Sequence, residues 1–288
     1  MSLDAFLKTA WDDHVDHPQA VADRLATSMH LVQAPGDVRP FAGLLAHVHG
    51  EHLGQWQQGI ALLDALRRTP GYDGSAPIEA ALARSIASLR YAGGDPAVLE
   101  TLSGEDRVAV LANAAAMFTG RKELRRAIAA YGEALQRAEA GLPAGSPAIR
   151  ALAVGGNNLA AALEEEPERD AAQEQGMLAA AQGALTYWKL AGTWLEEERA
   201  EYRLTRSLLQ AGRAVAAIES ARRCVAVCDQ NQAPALELFF GHVVLAVALH
   251  AAGDNEAFAA ERSQALEQLA QVPEGERPWC ERARLELG

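Results

Sequence analysis

Three arginines, Arg199, Arg203 and Arg206, stand at i, i+4 and i+7. At roughly 100° per residue all three project from one face of a helix, while Glu197 and Glu201 point to the other side. A guanidinium is a planar fork that meets a carboxylate bidentately, so this stripe suits either an acidic ligand or an internal carboxylate. A second group is the N-terminal histidines His14, His17, His30, His47, His49 and His52, with Glu51 among the last three. On helical spacing, His47 with Glu51 or His49 with His52 could chelate one ion. No single face presents His47, His49 and His52 together, and zinc would need a third ligand from another helix. The sequence therefore assigns no metal ligand and no cofactor, and expects these histidines to be solvated or packed between helices. Cys224 and Cys228 share a helical face and are expected to be buried thiols. No nucleophile elbow, Walker A loop, dinucleotide fingerprint, HExxH or EF-hand loop is present, so the expectation is a protein that is not an enzyme.

The elements that must position these residues are helices. Ala, Leu, Glu, Gln and Arg dominate, and β-branched and aromatic residues are thin. Proline repeatedly falls where a first helical residue would be, as in Ser146-Pro147, Asp95-Pro96, Ser75-Ala76-Pro77, His17-Pro18 and Ala233-Pro234. Glycine marks the expected stops at Pro35-Gly36, Gly71, Gly93-Gly94, Gly141, Gly212 and Gly253. The intervals suit helical hairpins, and no polar linker separates two domains. With 38 acidic against 26 basic residues, a formal charge of -12, the chain would repel a nucleic-acid backbone. No secretory signal and no apolar run of membrane-spanning length is read, and three cysteines without a CxxC pair fit a reducing cytoplasm.

Val108 to Gly141 carries Leu111, Ala114, Ala115 and Phe118 in one helix and Ala127, Tyr131 and Ala134 in the next. At these offsets the segment resembles the tetratricopeptide repeat, a 34-residue helix-turn-helix unit whose small and large apolar residues interlock. Glu198–Asn231 repeats the pattern with Leu204, Leu208, Gly212, Ala217, Ala221 and Cys224, and Phe239–Val272 with Leu245, Ala246, Leu249, Gly253, Phe258 and Ala265. Weaker copies surround Ala153 to Gly192, where an acidic insertion from Glu164 to Arg169 lengthens the turn, and Gly54-Gln55-Trp56 after a first helix from Phe41. The stretch from Gly74 to Arg107 has repeat length and almost none of the pattern.

The resemblance implies an all-α, right-handed superhelix, a solenoid of about six helical hairpins. Residues 1–39 are read as N-terminal capping helices, 40–272 as the repeats and 273–288 as a C-terminal cap, with Trp11 and Trp279 expected to bury the ends. It also implies a groove lined by the first helices, here Asn113, Asn157, Asn158, Arg199, Tyr202, Arg203, Arg206 and His250, with Phe240 as an apolar subsite. An asparagine followed one repeat later by two basic residues resembles part of the carboxylate clamp of chaperone-binding members. The family's lysine and asparagine in the first clamp repeat are Ala112 and Ala116 here, so C-terminal peptide specificity is not carried over. Within the same alignment Glu164 and Glu165 line the groove one repeat earlier and offer the arginines internal partners. The expected function is an adaptor that binds a protein or peptide, with acidic groups suited to the stripe and self-association left open. The alternative is a small-molecule or metal-dependent sensor using the histidine-rich N-terminal region or a solenoid cavity.

Overall fold

The computed structural model describes residues 1–288, which form helices, turns and loops with no strand. Contacts divide the chain into two compact units, Met1–Gly155 and Gly156–Gly288. The first holds α1 (Leu3–Asp13), α2 (Pro18–Thr27), α3 (Pro35–His47), α4 (Trp56–Ala65), α5 (Ala76–Ala92), α6 (Gly104–Gly120) and α7 (Leu124–Ala138). α8 (Pro147–Glu164) runs through the division. The second unit continues with α9 (Ala171–Ala191), α10 (Trp194–Gln210), α11 (Ala214–Gln230), α12 (Ala235–Ala251), α13 (Asn255–Gln271) and α14 (Arg277–Leu285).

Local chemistry sets these boundaries. Pro18 and Pro147 occupy the first positions of α2 and α8, where the missing N–H costs nothing. Reciprocal capping boxes open α9 (Asp170 with Gln173) and α10 (Thr193 with Glu196), satisfying donors that the first turn leaves free. The acidic turn after α8 is closed by Arg169, whose guanidinium donates to the carbonyls of Leu163, Glu164 and Glu166 at 2.8–3.0 Å.

Three hairpin turns share one closing geometry. Lys122 (φ 60°), Gly212 (φ 67°) and Gly253 (φ 83°) each adopt the left-handed region just past a first helix. The next N–H in each case reaches back five residues: Glu123 to Phe118 at 2.8 Å, Arg213 to Leu208 at 2.9 Å and Asp254 to Leu249 at 3.0 Å. This is the Schellman arrangement, which satisfies carbonyls that the helix end would otherwise strand.

Most packing positions read from the sequence are buried: Leu111, Ala114, Ala115, Phe118, Ala127, Tyr131 and Ala134 in the first unit, and Ala217, Ala221, Cys224, Leu249 and Ala265 in the second, where Leu208 and Phe258 are half-buried. Tyr131 adds a polar tie by donating its hydroxyl to the Leu152 carbonyl at 2.8 Å.

Four expectations are corrected. Pro35-Gly36 opens α3 instead of closing a helix, because Asp37 accepts the N–H groups of Gln33 (2.9 Å) and Ala34 (2.8 Å). The boundary at residues 39 and 40 therefore falls inside α3. Between Gly74 and the start of α6 at Gly104 the chain contributes α5 and a 3₁₀ segment, Pro96–Thr101, and no second α-helix, leaving five α-helical pairs where about six hairpins are expected. Trp11 and Trp279 do not bury the ends, being 44% and 65% exposed.

Candidate functional site

The second unit contains a cavity of about 260 Å³ lined by Ala161, Glu164, Glu165, Tyr202, Arg203, Arg206, Gln210 and Phe240, together with Trp279, Arg282, Ala283 and Glu286. Four residues expected in a groove, Tyr202, Arg203, Arg206 and Phe240, are thus brought together, and the rings of Tyr202 and Phe240 meet edge to face at 6.0 Å. Sequence reading missed the other wall, since nothing local to α10 reveals that α14 folds onto this face.

Each arginine of the stripe already holds a carboxylate. Arg203 donates to Glu164 Oε2 at 2.5 Å, and the other oxygen of Glu164 accepts from Ser207 Oγ at 2.7 Å. Arg206 pairs with Glu286, just beyond α14, and Arg199 pairs with Glu237 of α12 at 2.6 Å. Glu164 is therefore one of the expected internal partners, whereas Glu165 only lines the cavity. With Arg203, Arg206 and Arg282 opposite Glu164, Glu165 and Glu286, the groove is charge-balanced.

The opposite side of α10 is unusually polar for a buried face. Glu201 is fully buried and accepts from Arg223 (2.8 and 3.1 Å) and from Ser220 Oγ (2.7 Å), with Lys189 Nζ at 3.5 Å. Glu198, 1% exposed, has one oxygen in contact with the Cys224 thiol at 3.1 Å and the other unpartnered. Burial, reinforced by the nearby Glu237, pushes its carboxyl up to about 8, so it is held neutral at pH 7. Burial also raises Cys224, Cys228 and Cys280, the three free thiols.

The first unit has its own cavity, of about 330 Å³, on the inner faces of α3, α5, α6 and the start of α8. Asn113 lies in it, its amide within 3.5 Å of Ser88 Oγ, alongside Arg84, Ser85, Arg150, His47 and Glu51. Arg84 is tied to Asp106 at 2.9 Å. Small residues make this wall: a side chain on Gly155 would meet the Ala112 carbonyl at 3.2 Å. Asn157 and Asn158 contact each other at 3.5 Å and His250 packs against Phe258 at 5.0 Å; none of the three lines either cavity.

The histidines separate into two environments. His47 Nδ1 lies 2.8 Å from the Glu51 carboxylate, so these two i, i+4 residues contact each other directly. The His49–His52 pair does not form. His49 is fully buried, and burial lowers it below the ordinary histidine range, while His52 turns toward His47 and His14. The cause is a π-helical segment, Val48–Leu53, that follows α3 directly.

No family model matches the chain, and no curated protein does. Among solved structures, a singly substituted form of a Podosopora anserina protein named for kinesin light chain and carrying nearly identical TPR-like repeats matches with TM-score 0.51 at 16% identity, covering 82% of this chain and 96% of that one. The same repeats in another structure match with TM-score 0.48 at 15% identity, over 78% and 99% of the two chains. The first likeness shows the fold: this chain is an all-α, TPR-like helical-repeat protein, as the pattern at Val108 to Gly141 implied. No helix is long and apolar enough to cross a membrane.

Proposed function

We propose that this chain is a protein-interaction adaptor that takes an extended or helical segment of its partner on the inner faces of its first helices. The observation that carries this reading is inside the molecule. The groove of the second unit receives the chain's own α14, with Ala283 and Trp279 at its wall and the Glu286 carboxylate on Arg206. Helix-in-groove recognition needs the same two ingredients, an apolar stripe and a charge that fixes register. The first unit's cavity, around Asn113 and Arg150, is the counterpart that α14 does not line, and it is where an external segment is accommodated. Asn113 supplies both a donor and an acceptor for a peptide backbone. A cytoplasmic setting fits three buried, unpaired thiols.

Affinity capture from a lysate, comparing the natural chain with Asn113→Arg, with the pair Arg203→Ala and Arg206→Ala, and with Val215→Lys, tests this. Val215 is 73% exposed on α11 and serves as a surface control. Partners lost with Asn113→Arg and kept with Val215→Lys are the expected result. Recovery of the same partners at equal yield from every groove variant would refute the reading.

A further inference from the structure

His14, His47 and His52 each offer one ring nitrogen, and the three atoms lie within 4.8 Å of one another. The rings stand 4.9–5.0 Å apart, centroid to centroid, in all three pairings. His14 caps the C-terminal end of α1, His47 immediately precedes the π-helical segment and His52 lies within it. In an α-helix, residues five apart diverge by about 140°. A π-turn closes its hydrogen bond between residues i and i+5, which stacks His52 over His47 while leaving Glu51 beside His47.

The hydrogen bonds then determine which nitrogens are free. His14 Nδ1 lies 2.5 Å from the Trp11 carbonyl and His47 Nδ1 lies 2.8 Å from the Glu51 carboxylate. Both partners are acceptors, so both Nδ1 atoms carry the proton and the lone pairs of the neutral rings reside on Nε2. His47 Nε2 faces His52 Nε2 at 3.2 Å. Two imidazole nitrogens bound to a tetrahedral zinc ion at about 2.0–2.1 Å would stand about 3.3 Å apart. The backbone around them is fixed: Arg121 donates to the His52 carbonyl at 2.6 Å.

We propose that His14, His47 and His52 form a three-histidine site for a divalent transition-metal ion of the zinc class. Glu51 is the carboxylate that orients His47, as carboxylates do behind metal-bound histidines. Three protein ligands leave a fourth position open to water or to a group from outside. His47 and Glu51 also line the first unit's cavity, so the site borders the groove assigned to the partner but does not depend on that assignment.

Zinc titration of the metal-free full chain, followed by calorimetry and by Trp11 emission, tests the site. Trp11 is suited to report because its ring lies 5.0 Å from those of His14 and His47. One equivalent is expected to bind. Each of His14→Ala, His47→Ala and His52→Ala is expected to weaken it at least tenfold, with the circular dichroism spectrum of each metal-free variant unchanged. His17→Ala and His30→Ala, outside the cluster, are expected to bind zinc as the natural chain does. Glu51→Gln is expected to weaken binding about tenfold or more. The proposal is overturned if the natural chain binds no stoichiometric zinc, or if the variant lacking all three histidines binds it equally. Should a single variant lose its helical signal, loss of Co²⁺ absorption in His47→Gln, which keeps a polar side chain of similar reach, decides the matter in its place. Unchanged Co²⁺ absorption there also overturns the proposal.

Discussion

Replacing Glu198 by glutamine should flatten the pH dependence of stability in a calculable way. The folded carboxyl is raised to about 8 from a reference of 4.5, with burial as the main cause. Between those values the folded state carries a proton that the unfolded chain has released. Linkage then requires stability to be fully present below 4.5 and to be lost as pH rises toward 8. The slope approaches about 1.4 kcal/mol per pH unit, so from pH 5 to pH 7 this one residue removes about 2–3 kcal/mol. Groups facing it include Cys224, Glu237 and Arg199, and ion-paired carboxylates elsewhere titrate with the opposite sign. The informative quantity is therefore the difference between the two proteins. Urea unfolding of the natural chain and of Glu198→Gln at pH 5, 6, 7 and 8 measures it. The glutamine variant should gain relative stability steadily across the series. Parallel stability curves would show that Glu198 ionises in the folded state at its ordinary value, and the argument from burial would fail.

Tyr131→Phe removes the hydroxyl that donates to the Leu152 carbonyl at 2.8 Å, a bond added to the helical bonding of α8, and should cost about 0.5–1.5 kcal/mol in urea denaturation. Lys122→Gly should stabilise by about 1 kcal/mol, because a lysine at φ 60° bears a steric penalty that glycine lacks; a lowered melting temperature would contradict this. The three free thiols should resist a disulfide reagent in the native chain at pH 8 and react only after unfolding, since burial raises all three above the usual cysteine range.

Helical periodicity carried the sequence reading far where the backbone is regular. Arg203 and Arg206 of the i, i+4, i+7 stripe line one cavity while Arg199 pairs with Glu237 outside it, and Glu164 one repeat earlier is a partner because repeat spacing converts into spatial neighbourhood. Glu286 lies 80 residues from Arg206 and belongs to no repeat, so no local pattern points to it. The histidines failed for a different reason. Assigning faces at about 100° per residue splits His47 from His52, and that angle does not hold through the π-helical segment. Gly50 and Gly54, which flank the acidic and histidine residues there, are the only signal that the helix is irregular. That Glu198 and Glu201 are buried is not legible from the sequence, because carboxylates are rarely buried without a partner. For Glu201 the partner, Arg223, sits on the adjacent helix, and for Glu198 the raised carboxyl lowers the cost of burial while one oxygen stays unpartnered.

The seating of α14 sets a threshold for competitors. A segment tethered to its own groove by a few residues acts at an effective concentration on the order of millimolar. An external helix that made only the same contacts would have to reach about that concentration to occupy half of the second unit's grooves. A partner present at micromolar levels must therefore bind about a thousandfold more tightly than α14 does, about 4 kcal/mol, before it displaces Glu286 from Arg206.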